Sequence, residues 1–290
     1  MNNNNLFTKT QLMDYSSLFM RKEVQLWMKE DFSSVDVKIK RYDQQWGLYK
    51  NATYYDYLKY VYSILETHYQ NEYILKNTFL THWLIKELGE TDSKVFSEFR
   101  VGNSIADIAM FNGHSKVFEI KTEYDTDRRL QWQLESYRKV FNQIFLIISK
   151  TKLSVFKKYE KDIGIITFDN KQMNKFEIYR ESPIIPIVDA TTIMDILHTK
   201  EYKTIVEIHY GELPKMTSFN QYNICNELIR QIPNEKLNTY FINQMKRRKS
   251  EYALSKRYHV ILNQISLALK LNKADKTNMI NRIKTPLKTL

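Results

Sequence analysis

The sequence is poor in the residues that staple, bend or loosen a chain. Of its 290 residues, one is cysteine, five are proline and six are glycine. The single thiol, Cys225, cannot close an intramolecular disulfide. Nor can it build a zinc site from four cysteines, or from two cysteines and two histidines. The expected compartment is therefore the reducing cytosol. So little glycine and proline excludes collagen-like repeats, Gly-rich linkers and small turn-rich β modules. The first residues, Met-Asn-Asn-Asn-Asn-Leu, have neither the basic nor the apolar stretch of a signal peptide, which again predicts a cytoplasmic protein. No apolar run approaches the roughly 20 residues of a membrane-spanning helix. The longest, residues 144–148, has the length of a strand. G-x-x-x-x-G-K, G-x-G-x-x-G, G-x-S-x-G and H-E-x-x-H are all absent. The six histidines (His68, His82, His114, His198, His209 and His259) are scattered and read as surface or capping residues.

Apolar material is abundant. Hydrophobic residues make up 43% and aromatics 13%, enough for a substantial core. At about 150 residues per domain, the length allows one large domain or two small ones. The net charge of +11 is concentrated at one end. Residues 236–290 hold 13 Lys/Arg and 2 Asp/Glu, and the first 235 residues are balanced at 31 of each. A basic segment on a neutral body points to a polyanionic partner, nucleic acid foremost. The plainer reading is a solvated helical face.

Along the chain, residues 6–70 read as helical, with Tyr54, Tyr57, Leu58, Val61 and Leu65 at helical spacing. The polar stretch 31–50 reads as a loop with short elements. A helix over 72–88 carries Ile74, Leu75, Phe79, Trp83, Leu84 and Leu88 in one stripe, and Gly89 stands where it should end. The period then becomes two. Strands are predicted at 95–101, 105–111 and 116–121, the last two joined by an Asn-Gly turn. A helix at 126–141, an apolar strand at 144–149, a short helix at 153–159 and strands at 163–168 and 175–179 follow. Pro183 and Pro186 mark a boundary. Beyond it, helices are predicted at 191–197, 218–231, 236–249 and 252–271. The expected organisation is an N-terminal helical region (1–70), an α/β core (71–181) and a basic helical region (182–290).

One set of residues stands out. Asp107 lies in the second of these strands, and Glu119 and Lys121 lie in the third. Alternation puts Glu119 and Lys121 on one face and Phe118 and Ile120 on the other. Charges on central strands are costly to desolvate unless they are paired or metal-bound. A buried ion pair would satisfy them. So would Mg2+, which takes one or two carboxylates plus other oxygens. Asp107, Glu119 and the backbone carbonyl of Ile120 could supply those ligands. Lys121 could then orient or deprotonate a water, or stabilise charge developing on phosphorus.

The stretch Phe99-Arg-Val-Gly-Asn-Ser-Ile-Ala-Asp107, followed by Glu119-Ile-Lys121, resembles the PD-(D/E)xK nuclease superfamily, with Ala106 in place of the proline. Gln133 and Tyr137, at i and i+4 on the next helix, are similar to the Q-x-x-x-Y motif of its exonuclease-V-type branch. The wording E-F-R-V-G-N-S and E-I-K-T-E is similar to an uncharacterised bacterial subfamily. The likeness covers about residues 71–150.

The resemblance implies a restriction-endonuclease-like core, an α-β-β-β-α-β mixed sheet flanked by N- and C-terminal helical regions. It also implies a Mg2+ (or Mn2+) dependent phosphodiesterase that acts on DNA, in defence against foreign DNA or in repair. Asp107, Glu119, Lys121, Gln133 and Tyr137 would carry catalysis. Glu72 on the leading helix would assist the metal, with Glu98 as its rival; Glu72 equally suits the helix dipole. Tyr137 equally suits a core. Lys246, Arg247, Arg248, Lys249, Lys256 and Arg257 would grip the backbone. The alternative is a catalytically silent nucleic-acid-binding or regulatory module on the same fold. RNA as substrate stays open.

Overall fold

A computed structural model describes residues 6–88, 93–123, 125–159, 161–248, 254–255 and 257–288. The chain forms two compact units, residues 1–87 with 250–290 and residues 88–249.

The first unit begins with α1 (Lys9–Ser17), α2 (Arg21–Trp27), α3 (Ser33–Tyr42), a 3-10 turn at Gln44–Leu48, and α4 (Tyr54–His68). Helix α3 corrects the loop expected at 31–50. Val35 and Ile39, at i and i+4, are both buried, so one apolar edge suffices to hold ten residues in a helix. Helix α4 starts at a capping box. The Asp56 N–H donates to Thr53 Oγ1 at 3.2 Å, and the Thr53 N–H donates back to Asp56 Oδ2 at 3.1 Å. The helix expected over 72–88 is not uniform. It comprises α5 (Glu72–Phe79), a π-helical turn at Leu80–Leu84, and α6 (Ile85–Leu88). The wider turn holds one more residue per repeat, and it keeps both Leu80 and Leu84 buried. Gly89 lies outside the described residues.

The second unit holds β1 (Lys94–Val101), β2 (Ser104–Phe111), β3 (Ser115–Lys121), α7 (Leu130–Arg138), β4 (Gln143–Ser149), α8 (Leu153–Phe156), β5 (Ile163–Phe168) and β6 (Phe176–Arg180). The strands form one six-stranded mixed sheet in chain order. Strands β1, β2 and β3 pair antiparallel, β3, β4 and β5 pair parallel, and β6 returns antiparallel on β5. Patterning predicted every strand to within one residue at each end. The inner strands β4 and β5 are buried on both faces and read as apolar runs, whereas the period-two signal belongs to the strands before α7.

Helices α9 (Ala190–Ile196), α10 (Thr199–Tyr210), α11 (Gln221–Arg230) and α12 (Asn234–Arg247) belong to this same unit. Helix α10 falls within the region expected to be helical. Its buried residues Tyr202, Ile205 and Val206 stand at i, i+3 and i+4. The boundary expected near 182 does not coincide with the end of this unit. Gln143 Nε2 donates to the Ser182 carbonyl at 2.8 Å, and the Ile144 N–H donates to Ser182 Oγ at 3.1 Å. Beneath them Gly164 leaves room for that strap, since a Cβ there would lie 2.9 Å from the Ser182 nitrogen. Farther on, Asn142 Nδ2 donates to Asn238 Oδ1 of α12 at 3.2 Å. Leu134, Tyr137, Ile144, Ile163, Ile193, Ile229 and Phe241 share one core.

The chain ends with a 3-10 turn at Val260–Leu262, α13 (Asn263–Ala268) and α14 (Lys273–Ile283). The helix expected over 252–271 is thereby corrected, although 252, 253 and 256 lie outside the described residues. Asn263 closes a non-helical turn, accepting from the Ser255 N–H at 2.8 Å and donating to its carbonyl at 2.9 Å. Such local side-chain bonds compete with helix formation. His259 and Lys270 take left-handed backbone angles, φ +56° and +54°, on either side of α13. Ile261, Leu262, Ile265, Met279 and Ile283 complete the core of Leu12, Tyr15, Trp27 and Leu58. Tyr73 donates to the Ile261 carbonyl at 2.7 Å. The two chain ends therefore build one unit, and the region expected as 182–290 is divided between both. Among the described residues, no helix is long and apolar enough to cross a membrane.

Candidate active site

The site forms where the β1–β2–β3 ladder loses its regularity. Strands β2 and β3 pair from Phe111↔Ser115 to Ile108↔Phe118. One step further the backbone pairing gives way. Asp107 Oδ2 accepts the Ile120 N–H at 2.7 Å, so a side chain takes over a bond the ladder would have made. On the other flank, β1 steps from Ser97↔Ile108 to Phe99↔Ala106 and skips Glu98. Glu98 has φ +55°, a strained angle for a residue with a Cβ. The register is the same on both sides of this gap, which leaves out Asp107 as well as Glu98, yet the alternation changes across it. Phe96 and its partner Ala109 pack on the same core as Phe99 and its partner Ala106. Backbone strain of this kind gathers at functional sites. Composition and spacing carry no trace of it.

Strand β3 presents Glu119 and Lys121 on one face, as alternation requires. Glu119 is 3% exposed. Its Oε1 accepts from Lys121 Nζ at 2.9 Å and from Gln133 Nε2 at 2.7 Å. Gln133 Oε1 accepts from the same Lys121 Nζ at 3.0 Å, which closes a three-membered ring of bonds. Glu119 Oε2 lies 2.8 Å from the Tyr137 hydroxyl, which is also 3.1 Å from the Ile105 carbonyl. Helix α7 thus spends two of its turns on one carboxylate, with Gln133 and Tyr137 at i and i+4. The Tyr137 ring is fully buried in the core. Both expected readings of Tyr137 therefore hold at once, with the ring in the core and the hydroxyl at the site.

Electrostatics follow from this crowding. Burial, then the charge of Asp107, push the Glu119 carboxyl up to about 7, against the opposing pull of Lys121 and the Tyr137 hydroxyl. Burial and the Glu119 charge push the Tyr137 hydroxyl far above its ordinary range, so it stays a donor. With Glu119 protonated, its carboxyl can donate to Tyr137 and Tyr137 to Ile105. With Glu119 ionised, the two oxygens compete for one phenolic proton.

The donor set suits a hard cation. Two carboxylates meet across adjacent strands, and each destabilises the other's charge unless a positive charge intervenes. Ile120, the third expected donor, pairs in register with Ile147 of β4. Among the described residues, no group of three or more His, Cys, Asp and Glu side chains gathers. Mg2+ tolerates that count, because it retains waters and takes substrate oxygens.

The family described as Bacteriophage P4 protein cII matches residues 66–270, a span that contains every residue of this network. The chain belongs to that family. Within the cII family, the chain is 27% identical over 136 residues to "Protein cII" of Enterobacteria phage P4, covering 46% of this chain and 51% of the relative. It therefore spans about half the length of that relative. Among solved structures, the SPO1766 protein of unknown function from Silicibacter pomeroyi is similar to 48% of this chain over 92% of its own length, with 12% identity and a TM-score of 0.31.

The remaining expected residues of this cII-family chain belong to other elements. Glu72 belongs to the first unit, in the opening turn of α5, and is ion-paired with Lys76. Lys246 and Arg247 close α12, with Arg247 exposed. Arg248 is committed within the fold. Its Nε and Nη2 each donate to Glu201 at 2.7 Å, and Nη2 also donates to the Ile196 carbonyl at 2.8 Å. Arg257 lies in the first unit, exposed, 5.8 Å from the centroid of the Tyr258 ring. Lys249 and Lys256 lie outside the described residues. Sequence reasoning did not anticipate the Ser104–Ser136 hydroxyl pair at 3.0 Å, which ties α7 to the start of β2. Hydroxyl pairs carry no sequence signature.

Proposed function

We propose that this protein is a divalent-metal-dependent nuclease of the PD-(D/E)xK superfamily, hydrolysing phosphodiester bonds of DNA on a restriction-endonuclease-like core. The observation that carries this reading is the convergence of the strand residues and the helix residues on one carboxylate. Glu119 bonds Lys121, Gln133 and Tyr137 together, while the charge of Asp107 on the adjacent strand acts on it. A structural ion pair needs only Lys121. The second carboxylate is what a divalent cation would take.

Asp107 and Glu119, with the Ile120 carbonyl, would hold Mg2+ or Mn2+. When bound, that ion supplies charge neutralisation at the phosphoryl oxygens and an activated water. Lys121 places an ammonium beside the attacked phosphorus, where it stabilises negative charge as it develops. Gln133 and Tyr137 orient Glu119 from outside, the amide on Oε1 and the hydroxyl on Oε2, so that its carboxylate keeps one rotamer. Asp107 is oriented by the Ile120 N–H. Lys246, Arg247 and Arg257 would supply phosphate contacts without reading sequence.

The test is incubation with labelled linear, circular and single-stranded DNA and with RNA, each with Mg2+, Mn2+ or EDTA, using the wild type, Asp107→Asn and Glu119→Gln. Metal-dependent cleavage lost in both variants supports the reading. Cleavage that survives both variants removes these residues from it. The 2.9 Å Lys121–Glu119 ion pair favours the silent-module alternative. Calorimetric titration separates the two, since a closed pair takes up no Mg2+ or Mn2+.

A further inference from the structure

We propose that Trp132 is a stacking residue for an unpaired base of single-stranded DNA, and so sets the strandedness of the substrate; this rests on the nuclease reading above. Trp132 is 76% exposed, although it sits on the helix that supports the site. Its indole offers a flat aromatic face to a ligand on the helix that supplies Gln133 and Tyr137. It directly precedes Gln133. At 100° per residue, positions 129, 132 and 136 form the row beside Gln133 and Tyr137.

That row is held over the start of β2. Ser136 Oγ bonds Ser104 Oγ at 3.0 Å, and the Tyr137 hydroxyl reaches the Ile105 carbonyl at 3.1 Å. Arg128 and Arg129 are exposed immediately before α7. An indole thus stands one position from Gln133, on a helix preceded by two exposed guanidinium groups. Glu135 on the same helix is bonded by Gln131 at 3.3 Å.

The chemistry of this rim is that of a single-strand platform. Guanidinium groups clamp phosphates whatever the sequence. An aromatic face accepts any base, because every base has a π-face. A duplex keeps its base faces stacked on one another, so the indole discriminates in favour of an unpaired strand.

The experiment measures binding in EDTA, so cleavage does not enter. Oligothymidine, the same oligomer with abasic sites, its blunt duplex and an RNA of equivalent sequence are titrated into wild type, Trp132→Ala and Trp132→Phe. Indole fluorescence and anisotropy are both followed. The substituted side chain is exposed, so the fold should stay intact, and circular dichroism checks this. Oligothymidine should quench wild-type fluorescence and bind Trp132→Ala about 10-fold more weakly, with Trp132→Phe in between. Duplex and abasic oligomers should not distinguish the variants. Equal oligothymidine affinity for wild type and Trp132→Ala overturns the inference, even if Mg2+-dependent cleavage is present. A Trp132-dependent preference for RNA overturns the assignment to DNA. Trp132-dependent binding without cleavage in Mg2+ or Mn2+ leaves the stacking role standing and sinks only the catalytic reading.

Discussion

Each unit of the molecule buries a carboxylate, and the two do so differently. Asp43, in the first unit, is 2% exposed, and Glu119, in the second, is 3% exposed. Asp43 Oδ2 accepts from the Tyr15 and Tyr57 hydroxyls at 2.6 and 2.8 Å, and Oδ1 accepts from Tyr60 at 3.1 Å. Those donors are neutral hydroxyls that hold their protons firmly. Burial and then the Asp43 charge raise Tyr60 to about 12, and burial carries Tyr15 and Tyr57 further still. Glu119 has comparable donors but also a second carboxylate, Asp107, and an ammonium, Lys121. Burial of an acid is therefore no mark of function by itself. Asp43 is saturated by groups that have nothing else to do, and it closes a helical core. Glu119 has a like charge beside it, which adds to burial in raising its carboxyl.

Breaking each carboxylate in turn sharpens this contrast. The largest effect is expected at the second unit. Asp107→Asn or Glu119→Gln should lower the cleavage rate by roughly 10²–10³-fold or more with the fold intact. Asp43→Asn should leave the activity of the folded fraction unchanged. Single-turnover assays with circular dichroism check both. Lys121→Ala should cost roughly 10²-fold in rate with little change in Mg2+ affinity, because an ammonium is not a ligand. Lys121→Arg should rescue poorly, since a guanidinium is larger and never deprotonated near neutrality. Wild-type rates in Lys121→Ala would take it out of the mechanism.

Stability should run the other way. Asp43→Ala strands three tyrosine hydroxyls and should cost about 3 kcal/mol, read from the urea midpoint at constant m. Glu119 adds a pH dependence whose sign can be worked out. Its carboxyl is raised from 4.5 to about 7, so the folded state binds the proton more tightly than the unfolded chain. The stability it contributes is complete below pH 4.5 and is lost as pH rises through 7, at most roughly 3 kcal/mol. Glu119→Gln should flatten that loss, and Mg2+ should raise the melting temperature more at pH 8 than at pH 5, because it binds the ionised form. A flat profile in the wild type would contradict the crowding of Asp107 and Glu119.

The smallest effect belongs to the basic segment. Reversing Lys246 and Arg247 to Glu should flatten the slope of log K against log[salt] by about 0.9 for each duplex phosphate that is no longer neutralised. Arg248 is best left alone, because its guanidinium holds Glu201. An unchanged slope would assign these charges to solubility.

Much of this was legible in local pattern. Alternation placed Glu119 and Lys121 on one face, where they meet at 2.9 Å, and i, i+4 spacing placed Gln133 and Tyr137 together, where both reach Glu119. The six strands were equally readable, the first three from their two-residue period and the inner β4 and β5 from unbroken apolar runs. These features depend on neighbours within a turn or a strand.

Other features depend on residues far apart in the chain. Tyr73 bonds a carbonyl 188 positions away, so the last residues join the first helices in one core, and no composition shift announces it. Arg248 meets Glu201 across 47 positions and becomes a structural residue within a run of bases that look alike in sequence. Asp107 takes the Ile120 N–H where the β2–β3 ladder ends, 13 positions away in the chain. Period and spacing describe side chains along one element. The end of a ladder, the capture of a guanidinium and the closure of a core are set by which elements meet, and tertiary packing alone decides that.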